Sequence, residues 1–219
     1  MFPNLALVSL GILVTSTFGI DVTINSILDA EIKVASTQLD KMNFLLNNNL
    51  TWFFDFTTQP HYTYTPGSVV NADAATFPGS TSYGMTIALI NLGPCGMLPP
   101  HYHPRGTNFV VAVEGVTQTW MIEENGAKIV NQTLRPWQMT IFPRASIHRC
   151  TNATLVSALD SEDAGTQNIL NGFAQLPPDI MAAAFGNPSG GFNLPPIPDV
   201  GTGSILGSAA CLAACKGKM

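Results

Sequence analysis

Pro100-His101-Tyr102-His103-Pro104-Arg105-Gly106-Thr107-Asn108, followed much later by Ile147-His148, is the stretch that decides the fold. A His-x-His pair on a β-strand sets both rings on one face, because side chains alternate with period 2. A third imidazole from another strand, His148, completes a set suited to a divalent metal. The chain has four histidines, and three of them fall in this pattern. His61 stands apart and reads as an ordinary structural residue.

Around the histidines the texture is that of short strands. Tyr83 to Leu92, Phe109 to Val113, Thr117 to Glu123, Ala127 to Leu134, Gln138 to Phe142 and Ala153 to Leu159 all read as β. Glu124-Asn125-Gly126 is a hairpin signal, since Asn-Gly accepts φ > 0 at both turn positions. Many short antiparallel strands with tight turns predict a sandwich or barrel. Upstream, a helix is expected over Ser36 to Leu46. Trp52-Phe53-Phe54 and Tyr62-Thr63-Tyr64 are aromatic β-formers. Downstream, Pro177-Pro178 opens a helix over Asp179 to Phe185, residues 187–204 form a Gly- and Pro-rich strap, and Cys211 to Cys215 lies in a helical tail. The expected division is a signal peptide at 1–19, an N-terminal helix with extension strands at 20–80, a barrel core at 81–165, and C-terminal helices and strap at 166–219. Met97, Phe109, Trp120, Met121, Trp137 and Phe142 read as barrel filling.

The 219 residues carry 46% hydrophobic and 11% charged side chains, enough for one well-buried domain. A net charge of −5 with nine Lys and Arg excludes a nucleic-acid partner. Leu5 to Val14 is a short apolar run leading to Thr17-Phe18-Gly19, the pattern of a secretory signal, although no Lys or Arg precedes Lys33. No membrane span is expected in the mature chain. Sequons at Asn49, Asn131 and Asn152 support export. Cys95, Cys150, Cys211 and Cys215 are even in number and fit an oxidising compartment, with Cys211 and Cys215 expected to pair with Cys95 and Cys150 in one order or the other. A four-cysteine zinc site is the rival for these residues.

The run from Leu92-Gly93-Pro94-Cys95-Gly96-Met97 through His101, His103 and Asn108 to Val113-Glu114-Gly115 resembles the first motif of the cupin superfamily. Phe142-Pro143-Arg144-Ala145-Ser146-Ile147-His148, with Asn152, resembles the second. The likeness is to germin-like and spherulin-like secreted proteins, and it takes in Ser161-Glu162-Asp163-Ala164-Gly165. It implies an all-β double-stranded β-helix, a jelly-roll barrel with short flanking helices. It also implies one divalent metal held by three His and one Glu. Here those positions are His101, His103, His148 and, in place of the glutamate, Asn108. The amide of Asn108 either ligates directly or hydrogen-bonds a metal-bound water. Glu114 lies about 20 Å further along an extended strand and reads as a turn residue. Two motif glycines are Trp137 and Ala145 in this chain. Arg105 reads as a structural contact at the barrel mouth.

Without the glutamate, Cu, Zn, Fe or Ni suits the site as well as Mn. An oxygen-dependent oxidoreductase or tailoring enzyme acting on a small organic molecule is the expected function. A metal-assisted lyase, isomerase or cyclase is the alternative within enzymes. A non-catalytic wall or spore-coat protein is the alternative outside them. The sequence assigns no catalytic acid or base, and leaves a homo-oligomer open.

Overall fold

The computed structural model describes residues 22–47, 52–149, 153–187, 189–190, 197, 200 and 203–215, without the side chains of 147–149 and 214–215. The expected signal peptide, Asn49, Cys150 and Asn152 lie outside the described residues, as do the side chains of His148 and Cys215.

Two helices open the described chain, where one was expected. α1 spans Ser26–Val34 and α2 spans Gln38–Leu46. Asn25 caps α1 by accepting from the Leu28 N–H at 3.0 Å. Thr37 caps α2 by accepting from the Asp40 N–H at 3.1 Å. Each cap satisfies a backbone donor that the first turn leaves without a partner. Between them Ala35 turns to φ −58°, ψ 121°, which ends α1. Leu28, Ile32 and Leu45 form a small core of their own.

The aromatic segments at 52–64 build no strand. Phe56–Thr58 is a 3-10 turn, and Phe54 packs edge-on against Phe56 and tilted against Phe77, at 4.9 and 5.6 Å between ring centroids. Ring packing, not ladder formation, uses these side chains.

The sheets begin at Gly67, before the expected barrel start at 81. The strands are β1 (Gly67–Ala72), β2 (Thr86–Leu92), β3 (Gly96–Met97), β4 (His101–Tyr102), β5 (Asn108–Gly115), β6 (Thr117–Ile122), β7 (Val130–Leu134), β8 (Met139–Phe142), β9 (Ile147–Arg149), β10 (Ala153–Leu159), β11 (Gln167–Asn168) and β12 (Ile205–Leu206). One five-stranded sheet runs β1-β2-β10-β5-β8, and the other runs β11-β4-β9-β6-β7. Among the described residues, the strands of these sheets pair antiparallel. This is the expected all-β jelly roll. Ile90, Val110, Phe142 and Leu155 from the first sheet share one core with Leu134 from the second, and Met121 packs against it. Side-chain period sorts the faces. On β5, Asn108, Val110 and Ala112 are buried while Phe109 is 45% exposed. Phe109 and Trp137, at 79%, are therefore not barrel filling.

The hairpin between β6 and β7 differs from expectation. Only Gly126 has positive φ, at 92°, and β7 resumes at Val130. The Ala127 N–H donates to the Glu124 carbonyl at 3.1 Å, closing a turn with Gly at its third position.

The short helices follow on. α3 is Ile169–Phe173, α4 is Pro178–Ala184 and α5 is Ala209–Cys215. Pro178 sits at the first turn of α4, where its missing N–H costs nothing. β12 pairs with β3, and a disulfide joins Cys95 to Cys211 across 116 residues. This is one of the expected pairings, and it ties the C-terminal segment to the barrel. No helix among the described residues is long and apolar enough to cross a membrane.

Candidate functional site

The histidines stand where two short strands meet the barrel interior. β4 is squeezed between Pro99-Pro100 and Pro104, so it holds only His101 and Tyr102. His101 pairs in register with His148 of β9, and Met121 of β6 pairs with His148 on its other side. The expected third ligand thus occupies the strand next to the first.

His101 is 5% exposed. Its Nδ1–H donates to the Pro99 carbonyl at 2.8 Å, and that of His103 donates to the Gly165 carbonyl at 2.6 Å. With Nδ1 as the donor, the lone pair of each neutral ring lies on Nε2. The rings are 5.2 Å apart and nearly perpendicular. Burial holds His101 far below the ordinary imidazole range, at about 3, and neighbouring His103 adds to the effect while the Pro99 carbonyl opposes it. Burial lowers His103 as well, with the Gly165 carbonyl opposing. Both rings are therefore neutral at pH 7, the state that binds metal.

The Gly165 carbonyl is aimed by a well-tied loop. Gly165 has φ +66°, and a Cβ there would meet the Arg105 guanidinium at 2.7 Å. Arg105 Nε donates to the Asp163 carbonyl at 2.7 Å, and its Nη2 pairs with the Asp163 carboxylate at 2.6 Å. The Arg105 N–H donates to the Ala164 carbonyl at 3.1 Å. Arg105 is thus the structural contact that the sequence indicated, and it sets the partner of His103.

His101 and His103 open onto a cavity between the sheets. Val69, Ala88, Ile90, Val110, Phe142 and Leu159 form its apolar wall, while Asn71, Asn108, Ser157, Thr166 and Asn168 are its other polar residues. Asn108 is 3% exposed, and its Oδ1 accepts from the Ser157 hydroxyl at 2.5 Å. Among the described residues no group of three His, Cys, Asp or Glu could hold a metal, because only two of the three expected histidine side chains belong to that set. Glu114 is exposed at the far end of β5 and takes no part. His61 Nε2 lies 3.0 Å from the Val69 carbonyl, a structural contact as expected.

The Cupin family profile matches residues 55–188, more than half of the chain. This chain belongs to the cupin family. The cupin is 28% identical over 162 residues to spherulin-1A of Physarum polycephalum, covering 72% of this chain and 66% of that protein. It is 33% identical over 141 residues to germin-like protein subfamily 1 member 1 of Arabidopsis thaliana, covering 58% of this chain and 64% of that one. The matches therefore span just under two thirds of either relative. Among solved structures, an oxalate oxidase superposes with a TM-score of 0.56 at 24% identity, over 61% of this cupin and 73% of that chain. A Bacillus subtilis oxalate decarboxylase also gives 0.56, at 17% identity, over 61% and 36%. At such identities the structural likeness shows the fold alone.

Three contributors to the site went unread in the sequence. Ser157 faces the cavity by strand parity, two residues from Leu159 on β10. The carbonyls of Pro99 and Gly165 carry no residue-type signal at all.

Proposed function

We propose that this cupin is a secreted enzyme that holds one divalent transition metal through His101, His103 and His148, with Asn108 standing where the family has its glutamate, and acts on a small organic molecule. The observation that carries this is the pair His101 and His103. Both are neutral, and both have Nδ1 engaged by a backbone carbonyl at the wall of an apolar cavity. Carbonyl acceptors behind metal-binding imidazoles are a recurrent device for fixing the tautomer. Mn(II) centres are described for the Bacillus subtilis oxalate decarboxylase, whose structure superposes with a TM-score of 0.51 at 18% identity.

When bound, the metal supplies Lewis acidity or a binding place for oxygen. The chain does the rest. Pro99 and Gly165 hold the rings, the apolar wall excludes water, and Asn71, Thr166 and Asn168 offer hydrogen bonds to a ligand. An oxygen-dependent oxidation is the reaction class we favour. Export fits the Cys95–Cys211 disulfide, which belongs to an oxidising compartment. It also fits the exposed Asn131 on edge strand β7.

Metal analysis of the protein recovered from a secretory host tests the proposal, together with oxygen uptake in the presence of a library of small organic acids, phenols and ketones. About one equivalent of Cu, Zn, Fe, Ni or Mn is expected, with uptake above background for at least one compound. Protein that carries no metal, and takes none up on incubation, would sink the metalloenzyme.

A further inference from the structure

The family's carboxylate position is filled here by an amide, and its surroundings indicate what that amide does. Asn108 is 97% buried, on β5, among the residues that line the cavity. An asparagine side chain has one acceptor oxygen and one NH₂ group with two donors. The oxygen is engaged by Ser157, whose Oγ lies 2.5 Å from Oδ1 on the neighbouring strand β10. Ser157 is itself only 1% exposed, so water does not compete for that contact. Donation from the hydroxyl draws density from a neutral carbonyl that is already a poor metal donor. It also fixes the amide plane. The NH₂ group makes no hydrogen bond among the described residues. Asn108 lines the cavity and its Nδ2 is not sealed away from it, so the acceptor for this donor is one that the cavity supplies.

We infer that Asn108 does not ligate the metal but donates an N–H to an oxygen of the bound ligand, and that Ser157 is the positioning residue that turns the amide that way. The ligand class follows from the same walls. Its oxygen is a carboxylate, enolate or carbonyl oxygen, because Asn108 offers only donors. The rest of it is compact and apolar, because it packs on Val69, Ala88, Ile90, Val110 and Leu159. Among the described residues no Asp, Glu, Lys or Arg lines the cavity, so none of them pairs with a charge on the ligand body. The inference deepens the proposed function and rests on it only for the metal.

The test uses the full chain and its Asn108→Ala, Asn108→Leu and Ser157→Ala variants, each checked for folding by circular dichroism. Two quantities are read. One is the Cu²⁺ dissociation constant together with the Cu²⁺ electron paramagnetic resonance spectrum. The other is the affinity for isobutyrate, a carboxylate on a compact branched body, measured calorimetrically with and without metal. We expect all three variants to keep Cu²⁺ affinity within about threefold and an unaltered spectrum, while isobutyrate binds about tenfold more weakly. If Asn108→Ala does not fold, Asn108→Leu keeps the volume and Ser157→Ala removes only the hydroxyl. A changed spectrum or lost Cu²⁺ affinity in the Asn108 variants would make Asn108 a ligand and overturn the inference. So would isobutyrate affinity that is unchanged in the variants or absent in the native protein. A native protein that takes no metal but loses isobutyrate affinity on Ser157→Ala would sink the metal centre and leave the role of Asn108 standing.

Discussion

His101 and His103 are the residues on which the proposed metal centre turns, and each makes a definite prediction. Replacing either one, or His148, with Ala leaves two imidazoles in an open and poorly shaped site. Metal content measured after dialysis should then fall to a small fraction of native. Asn108→Glu returns an anionic oxygen to the fourth position and should tighten Mn²⁺ at least tenfold, since hard cations favour carboxylate. It should also lower native activity, because the added charge weakens Lewis acidity and fills space a ligand needs. Unchanged Mn²⁺ affinity in that variant would place residue 108 out of reach of the metal. Burial of His101 also sets a pH dependence. The folded ring stays neutral down to about pH 3, whereas the unfolded chain takes up its proton near 6.5. The unfolded state therefore binds more protons between these values, and stability contributed by the neutral ring is full above pH 6.5 and is lost as pH falls towards 3. Melting temperatures of metal-free protein over this range should fall less steeply for His101→Leu than for the native chain. Equal slopes would refute the assignment.

At the scale of elements, three tight turns carry the strands into place, and all three put a side chain where glycine is the easy choice. Cys95 has φ 57°, Trp137 70° and Ala145 65°. Each turn is closed by a hydrogen bond from its fourth residue to its first: Gly96 to Gly93 at 2.8 Å, Gln138 to Arg135 at 3.0 Å, and Ser146 to Pro143 at 3.0 Å. Pro94 and Pro136 fix the second position of the first two, which suits a type II turn. The Ala145 N–H also donates to the His103 carbonyl at 3.0 Å, so this turn links the loop before β9 to the one after β4. A left-handed non-glycine residue costs about 1–2 kcal/mol, partly offset by the lower entropy of its unfolded chain. Ala145→Gly should therefore stabilise by about 0.5–1 kcal/mol, seen as a rise of about 1–4 °C in melting temperature. A fall would show that the methyl group makes a contact worth more than the strain.

For the whole molecule, the Cys95–Cys211 bridge closes the longest covalent loop described, with a sequence separation of 116. β12 and the Gly207 N–H, which donates to the Cys95 carbonyl at 2.7 Å, hold the C-terminal segment against β3 beside it. A crosslink across so long a loop stabilises chiefly by restricting the unfolded chain, by about 3–5 kcal/mol. The Cys95→Ala, Cys211→Ala double variant should lose that much in urea unfolding. A change below about 1 kcal/mol would mean that the segment contributes nothing the strand pairing does not already supply.

The sequence by itself determined the barrel and the two histidines. Alternating side chains and turn residues are local signals, so β5, β6, β8 and β10 lie within a few residues of where periodicity places them. The His-x-His spacing is local too: both residues line one cavity, although β4 ends at Tyr102 and His103 lies beyond the strand on which both were expected. Cysteine parity limited the pairings without choosing one. What the tertiary structure decided is everything set by contact across the chain. It chose Cys211 for Cys95, brought Gly165 behind His103, and put Ser157 against Asn108. It also turned Phe109 and Trp137 outward and made rings, not strands, of the aromatic segments near 54 and 62. A carbonyl acceptor or a strand's neighbour has no signature in residue type, because every residue has the same backbone. Those partners exist only once the two sheets close on each other.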